Sequence, residues 1–285
     1  SFDGDFHVNP KCARTPNQIG ICDLVIIALK ATANDQFAKL LPPLVNEHTA
    51  ILTLQNGLGN EDALANLYPA KQILGGLCFV CLNRIEPGVI EHTAHGRIVL
   101  GEFFGWPEPR THDIAGMIRH SGVPCEVSDN IARTHWEKLV WNIPFNGLGV
   151  ASAAGHDALL SGEVPAQTIL LPCLTTDQLL ADSKWEQLVR ELMREVIAGA
   201  TALGLKIRPN AEGINVSRTR EMGAYRPSTL IDFDRGHALE LDALFREPLR
   251  QAERAGVNAS RLRKLCRVLE QLDARRTLSA PEAQR

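Results

Sequence analysis

No sign of charge dominates this 285-residue sequence. Its formal net charge of −3 leaves no global field to hold nucleic acid or an anionic membrane surface. No apolar run reaches the length of a membrane span, and no signal peptide opens the chain. Cysteine is present without order. The seven, at Cys12, Cys22, Cys78, Cys81, Cys125, Cys173 and Cys266, are odd in number and lack framework spacing, which fits reduced thiols in a cytoplasmic protein. Cys78 and Cys81 form a C-x-x-C, but in the apolar run Gly76 to Leu82 and with no second pair to complete a site, so they read as buried strand residues. The nine histidines form no metal-ligand set; His92 and His95 flank a strand bend and His156 precedes an acid. No Ser-His-Asp or Cys-His arrangement can be defended, and there is no internal repeat or low-complexity segment. Also missing is a G-x-G-x-x-G fingerprint.

What remains is an ordinary globular composition, 45% hydrophobic and 22% charged, with length for two domains. The first part alternates strand and helix. Asp23–Leu29 is a continuous apolar run, the pattern of a parallel strand buried on both faces. Phe37, Leu40, Leu41 and Leu44 then share one helical face, which Pro42 and Pro43 must end. Ala50–Leu54 is the next strand and Glu61–Leu67 the next helix. Ile73–Leu82, Val89–His92 and Arg97–Leu100 read as further strands, with Pro87-Gly88 as a turn. A helix over 111–121 and a short strand over Val123–Val127 complete a mainly parallel, doubly wound sheet.

From about residue 130 the pattern turns helical. Ser183-Lys184-Trp185-Glu186 reads as a capping box, followed by Trp185, Leu188, Leu192, Val196, Ala200 and Leu203 at helical spacing, with Gly204 as the stop. Segments 238–255 and 259–272 read as helices too, and the tail after Arg275 as frayed. The boundary is placed at Asp129-Asn130. An α/β domain over 1–129 and an all-helical domain over 130–285 are expected.

Several constellations carry chemical potential. Lys30 ends the first strand, at the rim where parallel sheets bind ligands; it is either an anion contact or a solvated loop lysine. Gln55-Asn56-Gly57-Leu58-Gly59-Asn60 ends the second strand. Asn56 offers both donor and acceptor there and Gly57 permits close backbone approach; a plain glycine turn before a helix explains the same residues. Glu61-Asp62 just behind would repel a pyrophosphate. Lys138, Asn142 and Asn146 stand four apart, one polar row on a helix with Trp136, Leu139, Val140 and Ile143 around it. A snorkelling lysine and helix-end asparagines are the competing reading, with Gly147 as the end and Pro144 as a bend. Ser228 reads as a helix N-cap and Glu240 as a solvated helix carboxylate when taken alone.

Taken together, these residues resemble the ketopantoate reductase (2-dehydropantoate 2-reductase) family. The resemblance rests on Leu29-Lys30 closing a strand, on Gln55 to Asn60, on Trp136 to Asn146, and on Ser228 followed by Glu240-Leu241-Asp242. Pro87 to His92 is family-like as well. It implies a truncated Rossmann-like NADP-binding domain (incomplete at its N-terminus) over 1–129, and a helical substrate and dimerisation domain over 130–285. It implies NADPH as cofactor and a small 2-oxo acid, ketopantoate, as substrate. Carried over residue by residue, Lys138 is the general acid that protonates the ketone oxygen. Lysine's ordinary pKa near ~10.4 keeps it charged, able to polarise a carbonyl and to release a proton to a forming alkoxide. Asn142 and Asn146 orient lysine and substrate, Ser228 binds the substrate carboxylate and Glu240 its hydroxyl. Lys30, Asn56 and Gly57 line the cofactor side. A homodimer through the helical domain is the expectation for assembly.

The sequence departs from the family at its start. The Gly-rich strand–loop–helix that holds the pyrophosphate is lacking, as is the basic residue that selects the 2′-phosphate. Ser1-Phe2-Asp3-Gly4-Asp5-Phe6 reads as a hairpin following them, so a segment of roughly 40 residues is expected upstream. The first strand would then have an open edge. A fragment or mis-started product of a normal enzyme is expected, because Lys138, Asn142, Asn146, Ser228 and Glu240 all stand in place. The alternatives are a relative without reductase activity and a reductase of another 2-oxo acid, its pocket reshaped by Pro144, Phe145 and the Gly223–Arg226 loop.

Overall fold

Two compact units divide the chain, Ser1–Asn56 with Asn60–Thr134, and Gly57–Gly59 with His135–Arg285. The computed structural model describes residues 4–279. Of the opening hairpin expected from the sequence, Ser1–Asp3 lie outside the described residues. Residues 4–23 contain no strand, which corrects that reading; among the described residues β1 pairs with β2 only and keeps an open edge.

The first unit is built on a five-stranded sheet in the order β1-β2-β3-β4-β5. β1 is Leu24–Ile27, β2 Ala50–Thr53, β3 Ile73–Glu86, β4 Val89–Glu102 and β5 Cys125–Val127. The pairings β1–β2, β2–β3 and β4–β5 are parallel, and β3–β4 is antiparallel. The α/β, mainly parallel sheet expected from alternating strands and helices is thus present.

Side-chain parity explains its two faces. Ala50, Leu52, Leu74 and Leu100 pack with Ile114, Ala115 and Ile118 of the helix α3, Pro109–His120. Val25, Ile27, Ile51 and Ile73 pack on the other face with Phe37 and Leu41, beside Leu64. These come from the short helix α1 (Phe37–Leu40), its flank, and α2 (Asn60–Ala65). Burial on both faces, expected of the first strand, holds for β2 instead. In β1, Ile26 is 46% exposed.

The segments read as three strands between Ile73 and Leu100 are one long hairpin turned at Pro87-Gly88. What broke the alternation is bulging: the register shifts between Phe79 and Val80, between Cys81 and Leu82, and between Arg84 and Glu86. Phe79 pairs with Arg97 and Val80 with His95, so Gly96 is the extra residue. His95 and Gly96 both have positive φ, +63° and +137°, the geometry that inserts a residue without ending the ladder. Cys78 and Cys81 lie on β3, half-buried rather than buried.

The second unit is helical. α4 (Ile131–Ala151), which belongs to this unit from His135 on, is followed by α5 (His156–Ser161), α6 (Thr176–Ala181), α7 (Ser183–Ala202) and α8 (Ala211–Met222). Then come α9 (Ser228–Asp234), α10 (Glu247–Arg254) and α11 (Ser260–Ser279). The core gathers Leu139, Val140 and Ile143 of α4, Leu188, Leu192 and Val196 of α7, and Leu262, Leu265 and Leu269 of α11. α7 confirms the apolar spacing, but its cap is one residue earlier than the sequence indicates. Asp182 accepts from the Lys184 amide at 2.8 Å, and Glu186 is drawn away to Arg190 and Arg220. The helix expected over 238–255 begins later, with a π turn at Asp242–Arg246 leading into α10. α11 continues past Arg275 to Ser279; the rest of the tail expected to fray, 280–285, lies outside the described residues.

Candidate active site

α4 carries the most informative residues. Lys138, Asn142 and Asn146 recur every four positions, so they form one row along it. Almost every residue from Leu139 to Ala153 is buried, which makes α4 a core helix rather than a surface one. The helix does not stop at Gly147 and passes through Pro144. Gly147 is there for packing, since a Cβ on it would lie 2.6 Å from Leu265 Cδ2 and 2.9 Å from Phe245 Cε1.

Within the row, the three polar residues differ. Lys138 is half-buried. Asn142 is 6% exposed and makes no side-chain hydrogen bond among the described residues, yet its amide atoms are not sealed from solvent. An enclosed side chain whose amide tip stays accessible is suited to meeting a ligand, because burying that tip without partners would cost free energy. Asn146, 2% exposed, is engaged at one end. Its Oδ1 accepts from the Thr229 backbone N–H at 3.0 Å and from Ser228 Oγ at 3.3 Å.

That contact revises the reading of Ser228 as an N-cap. Ser228 is the first helical residue of α9, and Pro227 before it supplies no side-chain cap. A first-turn amide of α9 is capped by Asn146, 83 residues away in the chain. The structure therefore joins Asn146 to Ser228 directly. Ahead of α9, the Thr176 hydroxyl bonds the Gly223 carbonyl at 2.9 Å, and the Tyr225 amide donates to Thr176 Oγ1 at 3.1 Å. Trp141 packs against Tyr225 and Phe145, with centroids 6.0 and 5.1 Å away, and donates from its ring nitrogen to Thr219 Oγ1 at 2.8 Å.

Glu240 is 4% exposed and precedes the π turn rather than sitting in a helix, so it is not a solvated helix carboxylate. Its carbonyl accepts from the Leu244 amide at 3.1 Å.

On the sheet unit, Lys30 and Asn56 each follow their strands by three residues, at the carboxyl ends of the adjacent parallel strands β1 and β2. Lys30 precedes the 3₁₀ segment Ala31–Gln36. Gly57 groups with the second unit. Its φ is +87°, and a Cβ would fall 2.3 Å from the Ala243 carbonyl oxygen, so only glycine fits. The neighbouring Leu58 amide donates to that same carbonyl at 2.9 Å.

Sequence reasoning did not single out Asn34 or the inward role of Gln55 and Asn60. Gln55 Nε2 donates to Asn34 Oδ1 at 2.8 Å, Asn34 Nδ2 to Asn60 Oδ1 at 2.9 Å, and Asn60 Nδ2 to the Asn56 carbonyl at 3.0 Å. The one available signal was a cluster of amides just after two neighbouring strands.

Thiol chemistry is disfavoured at three cysteines. Burial raises the Cys125 and Cys173 thiols, and pushes Cys266 up to about 12, leaving each protonated and a weak nucleophile. Among the described residues no cluster of three or more His, Cys, Asp or Glu is placed to hold a metal, and no helix is long and apolar enough to cross a membrane.

Comparison with known proteins matches residues 1–105 to the family described as ketopantoate reductase PanE/ApbA and residues 162–273 to its C-terminal counterpart. A 2-dehydropantoate 2-reductase from Nostoc sp. is 37% identical, over 96% of this chain and 82% of that protein. A solved 2-dehydropantoate 2-reductase from Geobacter metallireducens aligns with TM-score 0.84 and 44% identity, over 94% of this chain and 84% of that one. Another, from Methylococcus capsulatus, gives 0.80 and 27%, over 94% and 80%. With both family regions matched in order and a relative at this identity along nearly its whole length, this chain belongs to the ketopantoate reductase family of oxidoreductases.

Proposed function

We propose that the protein reduces 2-dehydropantoate (ketopantoate) to pantoate with NADPH, and that Lys138 is the general acid. The observation that carries this reading is the row on α4: a lysine followed one turn later by an enclosed amide with an accessible tip, then by an asparagine tied to Ser228. A 2-oxo acid presents a ketone oxygen and a carboxylate close together, and this row offers a cation, amides and a hydroxyl for them.

The role of each residue follows from its chemistry. Bound NADPH supplies the hydride that the ketone carbon receives. Lys138 polarises the ketone oxygen and gives it a proton from Nζ, completing the hydroxyl, and is then reprotonated from solvent. Asn142 donates from its amide to substrate oxygen. Asn146 keeps its acceptor on α9 and turns its Nδ2 donor to the substrate, while Ser228 Oγ holds the substrate carboxylate. Glu240 accepts from the substrate hydroxyl. On the cofactor side, Lys30 supplies a cation, and Asn56 and the Gly57 amide supply hydrogen bonds. These donors fit a nicotinamide ribose or a phosphate oxygen. Residues 1–129 thus serve as the NADP-binding domain and 130–285 as the substrate and dimerisation domain, in a cytoplasmic homodimer.

Titrating the 285-residue chain with NADPH, followed by cofactor fluorescence with and without ketopantoate, tests the reading. Micromolar binding and turnover are expected. Absence of binding sinks the proposal for this chain as it stands.

A second reading, reduction of a different small 2-oxo acid, has one observation in its favour. Tyr225, pinned by Thr176 and packed on Trp141, stands three residues before Ser228 and places an aromatic wall beside the group assigned to the carboxylate. Comparing turnover across oxo acids of increasing bulk separates the two.

A further inference from the structure

We infer that Asn34, Gln55 and Asn60 form a directional amide relay that sets the Asn56–Gly57 peptide for the cofactor, so that Asn34 and Asn60 are positioning residues of the reductase. The inference rests on the reading above that Asn56 and Gly57 face the cofactor.

The direction of the relay is dictated by a single carbonyl. The Asn56 C=O can only accept, so Asn60 must face it with its Nδ2, 3.0 Å away. Asn60 Oδ1 is then turned to Asn34, which must present its own Nδ2, at 2.9 Å. Asn34 Oδ1 is left to accept from Gln55 Nε2 at 2.8 Å. Gln55 Oε1 in turn accepts from the Thr53 hydroxyl at 2.9 Å, and that hydroxyl accepts from the Gln55 backbone N–H at 3.3 Å. Every amide orientation, ordinarily ambiguous between oxygen and nitrogen, follows from the chain's last acceptor.

The relay is buried at Thr53 and Asn60, both 0% exposed, and at Gln55, 4% exposed, while Asn34 is half-buried, so losing the donor of Asn34 leaves the enclosed amide of Asn60 short of a partner. It also spans two elements. Asn34 lies in the 3₁₀ segment after β1, and Gln55 to Asn60 follow β2. The turns beyond two adjacent parallel strands are thereby locked together.

The consequence for the cofactor side lies in the peptide group itself. The Asn56 carbonyl and the Gly57 N–H are opposite ends of one planar unit. Fixing the carbonyl fixes where the N–H points, and a hydrogen bond received at the oxygen strengthens the N–H as a donor. A turn held only by packing would place this peptide without polarising it.

An isosteric change separates the two roles. Asn34→Asp keeps the volume and the acceptor for Gln55 but has no donor for Asn60. To recover a bond, Asn60 must turn its oxygen towards the Asn56 carbonyl, setting two acceptors face to face. Asn34→Ala removes volume and both bonds.

The test compares the wild-type chain with both variants in three measurements: NADPH affinity by cofactor fluorescence, amide hydrogen exchange over 53–60, and thermal unfolding. For Asn34→Asp, NADPH affinity is expected to fall about tenfold and exchange over 55–60 to quicken by a similar factor, with unfolding near wild type. If Asn34→Asp matched wild type in affinity and exchange while only Asn34→Ala was impaired, the role would be packing and the inference wrong. Should the wild-type chain not bind NADPH, the cofactor reading fails by itself, and exchange still decides the relay. Quickened exchange in Asn34→Asp would then uphold the directional lock alone, and unchanged exchange would overturn it.

Discussion

The two units hold the residues assigned above to the site by different physical means. In the helical unit they are side chains on or against α4, a helix buried along most of its length, so covalent helix geometry and close packing decide where Lys138 and Asn142 point. In the sheet unit they sit in turns just beyond β1 and β2, where a hydrogen bond from Asn34 orients Asn60 and Asn60 in turn holds the Asn56 carbonyl. The helical half should therefore respond mainly to changes of volume and to loss of a reacting group. The sheet half should respond to changes of hydrogen-bond polarity at constant volume.

The sharpest way to break this division is Lys138→Ala. If the helical unit supplies the proton and the sheet unit the cofactor contacts, turnover should fall by about 10²- to 10⁴-fold while NADPH affinity stays near wild type. Steady-state kinetics beside a fluorescence titration check both halves at once. A large loss of NADPH affinity would mean the two sets of residues do not divide the work.

Gly57→Ala tests a place where sterics rule within the turn. The new Cβ meets the Ala243 carbonyl at 2.3 Å, in a backbone conformation with φ of +87°. Stability should drop by roughly 1–3 kcal/mol, measured by urea unfolding. A neutral result would show that the loop relaxes away from Ala243 at little cost.

Asn146 sharpens the comparison from the helical side, because it combines a packed position with a polar task. Asn146→Ala removes the cap on α9 and should cost about 1 kcal/mol, with a raised KM for the oxo acid through Ser228. Asn146→Asp retains an acceptor for the Thr229 amide, so it should lose less stability than Asn146→Ala, what it does lose being the cost of enclosing a carboxylate at a 2% exposed position. The KM should still rise, because the donor assigned to the substrate becomes a second acceptor carrying negative charge. Equal stability loss in both variants would remove the cap from the account.

How much of this was legible in the sequence follows the same divide. The polar row of α4 could be read from spacing alone, because helix periodicity turns positions four apart into neighbours. The strands β1 and β2 could be read from their apolar runs. Partners distant in sequence could not. The Thr229 amide capped by Asn146 lies 83 residues on, and Asn34 bonds to Asn60 across 26. The β3–β4 hairpin looked broken because register shifts, the one at His95–Gly96 among them, interrupt the alternation without ending the ladder. Glu240 looked like a helix carboxylate because the π turn that delays the helix has no signature in composition.

The smallest expected effect concerns how the units are held rather than what they do. On the helical unit, Glu186 and Glu212 share Arg190, with Arg220 and Arg194 as their further partners. Among the described ion pairs of the sheet unit, Arg97–Glu126 stands separately on the strands. Burial raises the pKa of both Glu186 and Glu212, and the arginine hydrogen bonds more than reverse it, so both carboxyls are held below the ordinary range. A depressed carboxylate contributes stability that is present above its unfolded pKa, near ~4.3, and lost as pH falls through the folded value. Arg190→Met should then cost roughly 0.5–1 kcal/mol at neutral pH, and the gap from wild type should close as the pH drops below about 4. Tryptophan fluorescence reports this selectively, since Trp136, Trp141 and Trp185 lie in the helical unit while Trp106 of the sheet unit is 76% exposed. Arg97→Met should leave that signal unchanged at either pH. A gap for Arg190→Met that persisted undiminished in acid would assign its cost to lost packing of the arginine stem instead, and the contrast in charge between the two units would lose its energetic meaning.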